Sequence, residues 1–337
     1  MASAEIGSFF EYPDAMYMGE SPPEHDFLRK QLLLASGRDI FCYLGDSFGK
    51  RKIYLPDYFC PHTRNFISRY FDVIVYNDIP NMPLKCAQIS GNSLFFVVNL
   101  FGTYDPSRYK FLESYKNVVK IEDHSHAPFC RFARNSSHCV MASLRKTLPV
   151  LGAYVSKLSA VKFSKSVESL DGSFISTEIE KQLYLKSADA SVKDKCLRSF
   201  AEIEDSIDAN NVPRKIGSKS EELLFNLNVA KLQKRRFENY SLFRELVEFP
   251  LVNDKINDVY SAFNPVILLP NKKERDALKR HLIENFIYPP IHWVIDDFHY
   301  DDTKTLSECV LTIPVDYRYN KDDVERVCAC INSFKGA

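Results

Sequence analysis

The chain lacks a net charge of either sign: its 337 residues carry 44 Lys plus Arg and 44 Asp plus Glu. Without an overall field, nucleic acid and anionic membranes are not expected partners, and any anionic ligand must be held by a local set of donors. Long hydrophobic runs are missing too. The longest, Leu94 to Phe101, is broken by Asn99 and far too short to span a bilayer, so it is expected to be a buried strand. Met1 to Asp14 has neither a basic region nor an apolar segment, so no secretory signal is expected and the protein is read as cytoplasmic. No Cys-x-x-Cys pair occurs among the nine cysteines, whose scatter suits reduced, buried thiols. Internal repeats and low-complexity tracts are absent.

What is present is an ordinary globular composition, 45% hydrophobic and 26% charged, in a chain long enough for about two domains. Four apolar runs recur through the first half: Lys52 to Leu55, Val73 to Tyr76, Leu94 to Leu100 and Val118 to Ile121. Continuous runs of this kind suit a largely parallel sheet covered on both faces, and the intervals are long enough for crossover connections. An α/β fold follows. A polar stretch from about Ser187 to Ser220 places a domain transition, dividing the chain into residues 1–212 and 213–337. Glu221 to Val247 then reads as one helix with Leu223, Leu227 and Ala230 on a face, its cluster Lys231, Lys234, Arg235 and Arg236 expected to be solvated. Beyond it, Pro265 to Leu269 and Cys309 to Ile313 read as strands, and helices start at Asn271 and Asn320, both capping residues. The last helix carries an apolar stripe of Val324, Val327, Cys328, Ile331 and Phe334.

Several short motifs fall away. Gly45 to Arg51 is one residue short of a phosphate loop and ends in Arg where Ser or Thr is needed. Ser143-Leu-Arg-Lys146 has a Ser-x-x-Lys spacing, but the Ser-Asp-Asn and Lys-Thr-Gly elements that would accompany it are missing. Asn135-Ser-Ser137 is a glycosylation sequon of little weight in a chain read as cytoplasmic. The densest set of ligand-type side chains is Glu122, Asp123, His124 and His126, directly after an apolar strand, where the edge of an α/β sheet places its site. Two functional readings stand open for it. His124 and His126 would share a face of a continued strand and could hold a metal. Alternatively only some of the four point inward, toward a cofactor.

Other segments follow in a definite order: Ser36-Gly-Arg38, Leu55-Pro-Asp-Tyr-Phe-Cys60, Ile121-Glu-Asp-His-Ser-His126, Ser143-Leu-Arg-Lys146 and Arg235-Arg-Phe-Glu-Asn-Tyr240. Together they resemble the DegT-type family of pyridoxal-phosphate (PLP) enzymes, best known as nucleotide-sugar aminotransferases. The resemblance runs from about Ser36 to Phe334. It implies the α/β architecture of fold type I: a large domain with a mixed, mostly parallel sheet, plus a small C-terminal α/β domain. It makes Lys146 the Schiff-base lysine, whose neutral amine also moves the proton of the substrate. Asp123 would face the pyridinium nitrogen and His126 the phenolic oxygen. Gly37, Arg38 and Ser143 would hold the phosphate, and Cys60 occupies the position of the ring-stacking residue, with Tyr58 and Phe59 beside it. His292 and Trp293 are candidates for the acceptor pocket.

The family also implies a homodimer and a two-stage transamination. An amino acid, glutamate in most of the family, gives its amine to a keto-sugar attached to a nucleotide, for surface-polysaccharide or modified-sugar synthesis. Besides His126, where the family more often has Gln, and Cys60, where it usually has an aromatic, the sequence departs from the family in two further places. No Gly-Gly pair follows Lys146, and a charged segment, Glu178 to Ser206, replaces the Asn-containing hairpin. Rival readings are a small phosphorylated ketone as acceptor, a PLP-dependent dehydratase or non-catalytic PLP-binding protein, and a metal-binding module using His124 and His126.

Overall fold

The computed structural model describes residues 5–19, 24–86, 88–130, 139–158, 163, 167–187, 189–256 and 258–336; the sequon at 135–137 lies outside them. The strands in chain order are β1 (Ile6–Gly7), β2 (Leu32–Leu34), β3 (Lys52–Pro56), β4 (Asp72–Tyr76), β5 (Ser93–Val98), β6 (Val118–Asp123), β7 (Cys139–Ser143), β8 (Ala153–Val155), β9 (Val266–Leu268), β10 (Ile287–Tyr288) and β11 (Val310–Thr312). Seven of them form one sheet in the order β2-β8-β7-β6-β5-β3-β4. Its neighbours from β7 to β4 run parallel, while β8 is antiparallel to both β7 and β2. The four apolar runs are β3 to β6, and their interior residues Ile53, Leu55, Leu94, Phe96 and Ile121 are completely buried. Helix Gly37–Phe48 packs Ile40, Phe41 and Leu44 onto one face of this sheet, against Leu55, Phe96 and Met141. Burying apolar side chains on both faces is what permits a parallel sheet.

A second, smaller core forms near the C-terminus. Strands β9 and β11 pair antiparallel and are covered by helices Lys272–Glu284 and Lys321–Asn332. Both helices start as expected. Asn271 accepts from the Glu274 amide, and Asn320 with Asp323 forms a reciprocal capping box. Val324, Val327, Cys328 and Ile331 are buried in this core, and Ile6 joins them because β1 pairs in parallel with β10.

Two expectations need correction. The stretch from Glu221 to Val247 is two helices, Ser218–Asn226 and Val229–Leu246. Leu227 is extended and bridges to Met18, and Asn228 restarts the helix by accepting from the Lys231 amide. Arg236 is not solvated but buried, donating to the Thr147 carbonyl at 2.9 Å. The charged segment Glu178 to Ser206 falls on two helices, Glu168–Ser187 and Ala190–Asp208, packed against each other. Among the described residues, no helix is long and apolar enough to cross a membrane.

Candidate active site

The C-terminal ends of β5, β6 and β7 open into a cleft facing the start of helix Gly37–Phe48. Asp123 is the last residue of β6, and its carboxylate lies at the floor. One oxygen accepts from the Ser125 amide at 2.8 Å and the Ser125 hydroxyl at 2.5 Å. That hydroxyl in turn accepts from the Ser143 amide at 2.9 Å, which pins the ends of β6 and β7 together. The other Asp123 oxygen has no hydrogen-bond partner among the described residues. Burial holds the Asp123 pKa above the ordinary carboxylate range, only partly offset by Ser125, His124 and Lys146. Among the described residues, no cation contacts this carboxylate directly.

Lys146 ends a short turn, Leu144–Lys146, directly after β7. Its side chain reaches cleft solvent and makes no hydrogen bond or ion pair among the described residues. The surrounding protein still lowers its pKa to about 8, first by desolvation and next through the neighbouring Arg145 charge. A useful fraction of neutral amine therefore exists near neutral pH. The turn is backed by the bond from Arg236 to Thr147. The rest of that helix motif reaches elsewhere: Asn239 donates to the carbonyls of Asp316 and Tyr319 at 2.8 and 2.9 Å, and the Tyr240 hydroxyl donates to that of Asn253.

His126 clusters with Phe263, at 4.2 Å and 13° between ring planes, and Phe101, at 5.6 Å and 10°, the two phenylalanine rings themselves lying 6.2 Å apart. Its Nδ1 accepts from the Phe101 amide at 3.0 Å, so the proton of the neutral ring sits on Nε2. Burial, then the charges of His292 and Lys146, push its pKa well below the usual range and keep it neutral. The Phe101 amide is aimed by a left-handed turn, with φ 55° at Phe101 and 79° at Gly102. A side chain at Gly102 would overlap the Ser261 carbonyl. Asn253 fastens the same turn by donating to the Phe101 carbonyl at 3.2 Å.

His124 takes the opposite direction. It is fully buried, with Nε2 3.1 Å from Glu122 and Nδ1 3.1 Å from the Cys130 sulfur. The expectation that His124 and His126 share a face, as a metal centre needs, is therefore corrected. Among the described residues, no group of three or more His, Cys, Asp or Glu could hold a metal ion.

Gly37 and Arg38 open helix Gly37–Phe48 after Ser36, whose hydroxyl accepts from the Asp39 amide. Gly37 lies against Ser143 in the wall of the cleft, where a Cβ on it would meet that of Ser143 at 3.5 Å. Arg38 is held by Thr63 at 3.0 Å and by the Asp208 carboxylate at 2.9 Å. Cys60 lines the cleft at the cap of helix Pro61–Ile67, and Phe59 lines it beside Trp293, ring centres 6.2 Å apart. Tyr58 points away, donating its hydroxyl to the His292 carbonyl.

The inner cleft continues into an outer cavity of about 630 Å³. His126, Arg145 and Lys146 line both parts. Trp293 lines the inner part and His292 the outer, its Nδ1 2.9 Å from the Thr312 hydroxyl. The outer walls come from Phe9 near the amino terminus, from Phe174 and Phe200 on the two packed helices, and from Phe263 and Tyr288. Sequence reasoning missed Ser125, Arg145, Phe263 and Glu204 as cleft residues. Ser125 and Arg145 lay inside motifs already singled out; Phe263 and Glu204 carried no signal.

No family model matches the sequence, and no curated protein matches it either. Solved structures do match, over nearly the whole chain. Helicobacter pylori PseC, an aminotransferase involved in pseudoaminic acid biosynthesis, aligns with a TM-score of 0.63 at 12% identity, covering 97% of this chain and 98% of that one. A DegT DnrJ EryC1 StrS aminotransferase from Brucella abortus aligns with a TM-score of 0.56 at 13% identity, covering 95% and 92%. Spr1654 from Streptococcus pneumoniae, solved in a PLP form, gives 0.62 at 10% identity, covering 97% of each chain. The chain thus has the fold of type I PLP-dependent aminotransferases.

Proposed function

We propose that the chain is a PLP-dependent sugar aminotransferase, a cytoplasmic homodimer that moves the amine of an amino acid, glutamate, to a nucleotide-linked keto-sugar in surface-polysaccharide or modified-sugar biosynthesis. One observation carries the reading: Lys146, Asp123, His126 and the Gly37–Ser143 pair converge on a single cleft in a fold shared with such enzymes. The residues fit the cofactor. The Asp123 oxygen without a partner is the acceptor that a pyridinium N–H needs, and that cation would reverse the burial-raised pKa. The N-terminus of helix Gly37–Phe48, with Gly37 and the Ser143 hydroxyl lining the cleft beside it, suits a phosphate.

The bound cofactor supplies an electron sink for bonds at the substrate α-carbon. Asp123 would hold the proton of the ring nitrogen. His126, neutral with Nε2–H available, would donate to the phenolic oxygen. Lys146 would attach the cofactor and, once released, would take the α-proton as a neutral amine and pass it to the cofactor's C4′ carbon. Phe59 and Trp293 would flank the ring, and His292 the acceptor. An outer cavity of about 630 Å³ has room for a nucleotide-linked acceptor.

The test is the visible absorption of purified protein given PLP. Wild type is expected to gain the band of lysine-bound cofactor and lose it on adding glutamate, whereas Lys146→Ala gains no such band. A band that glutamate leaves unchanged would sink the aminotransfer reading.

A further inference from the structure

Among the described residues, Arg145 and Lys146 are the cations that line both the inner cleft and the outer cavity, and the structure already seats a carboxylate on Arg145. Glu204 meets its guanidinium through both oxygens: Nη2 donates at 2.9 Å and Nη1 donates to the other oxygen. This two-point geometry is the one by which a guanidinium selects planar carboxylates. The Arg145 side chain is 15% exposed and that of Glu204 44%, so the arginine is held while the acid has room to swing out. The backbone under Glu204 does not move with it, because Ile203 and Ile207 are buried against Leu151 and Phe174. One turn on, Asp208 is committed to Arg38.

We infer that Arg145 is the carboxylate-recognition residue of the cleft and that Glu204 occupies its subsite until a substrate carboxylate displaces it. The inference rests on the proposed function and names the group that orients the amino donor. Exchanging one carboxylate for another leaves Arg145 paired throughout, so no buried charge is stranded during binding. A donor held there by its α-carboxylate would sit in the cleft that Lys146 also lines.

The test is calorimetric titration of PLP-loaded protein with glutarate, a dicarboxylate without an amine, at constant ionic strength. Arg145→Gln is expected to weaken glutarate binding tenfold or more. Glu204→Gln, which removes the internal competitor, is expected to tighten it several-fold. Opposite signs are the signature, since loss of a purely structural ion pair affects both variants alike. Equal weakening in both, or no change in either, overturns the inference. So does a phosphate titration in which inorganic phosphate, and not glutarate, depends on Arg145. Should Arg145→Gln fail to fold, Arg145→Lys keeps the charge without the fork and must still weaken glutarate. The visible band is recorded first: its absence in wild type removes the proposed function itself, whereas a normal band with unaltered glutarate binding removes this inference alone.

Discussion

His124 and His126 stand two residues apart and hold opposite charge states. Around His126, burial and neighbouring cations all disfavour the imidazolium. Around His124, burial pulls the same way, but contacts with the Cys130 sulfur and the Glu122 carboxylate outweigh it and lift the pKa to about 9. The result is a neutral donor toward the cleft and a cation behind it, and the His124 charge favours the ionised form of Asp123. Stability should carry the mark of this pair. A raised folded pKa means the His124 contribution is whole below its unfolded value near about 6.5 and is lost as pH rises through about 9. Glu122, held down to about 2 by His124, Lys120 and Tyr104 despite burial, stays ionised throughout that window. Chemical unfolding of His124→Asn against wild type is expected to show a deficit of roughly 1–3 kcal/mol at pH 6 that shrinks by pH 10. A deficit independent of pH would contradict the assignment.

Among the elements, the turn Leu100–Gly102 does most to shape the site, because it presents the Phe101 amide to His126. Gly102→Ala would force a left-handed alanine into the Ser261 carbonyl. We expect a loss of at least about 2 kcal/mol in thermal or chemical unfolding, with weaker retention of PLP. Unchanged stability would show that the turn is adaptable. This turn was invisible in the sequence, whereas β3, β5 and β6 were legible because doubly covered strands read as unbroken apolar runs. The break at Leu227 was hidden by its own conformity: Leu227 fits the helical stripe, and only its bridge to Met18 pulls it out. Helix Glu168–Ser187 hid for another reason. Its buried residues include Asp171, Thr177, Glu178 and Lys181, so no apolar stripe marks it. Lys146, Asp123 and His126 were legible through motif order. The partners of Arg38 and Arg145 were not, since Glu204 lies 59 residues from Arg145 and only the fold joins them.

At the scale of the whole molecule, the cleft is walled by segments from distant parts of the chain. Residues Gly7 to Tyr12 lie between the packed helices and the C-terminal core. Arg318 donates to the Phe9 carbonyl at 3.0 Å and pairs with Asp316 and Glu11, and Lys181 donates to the carbonyls of Gly7 and Phe9. On the other side, Asp57 at the end of β3 accepts from the amides of His299 and Tyr300 at 2.9 and 3.1 Å. These ties set the two cores on either side of Lys146. They also bury a second lysine, Lys181, whose pKa is likewise lowered to about 8, first by desolvation and then by Arg318. Among the described residues, two lysines thus have the depressed basicity that capture of an aldehyde favours, and Lys146 is the one that lines the cleft with Asp123 and His126. Borohydride reduction of PLP-treated protein followed by peptide mass mapping decides between them. A single pyridoxyl group on Lys146 is expected; its appearance on Lys181, or on no lysine, would overturn the assignment of Lys146.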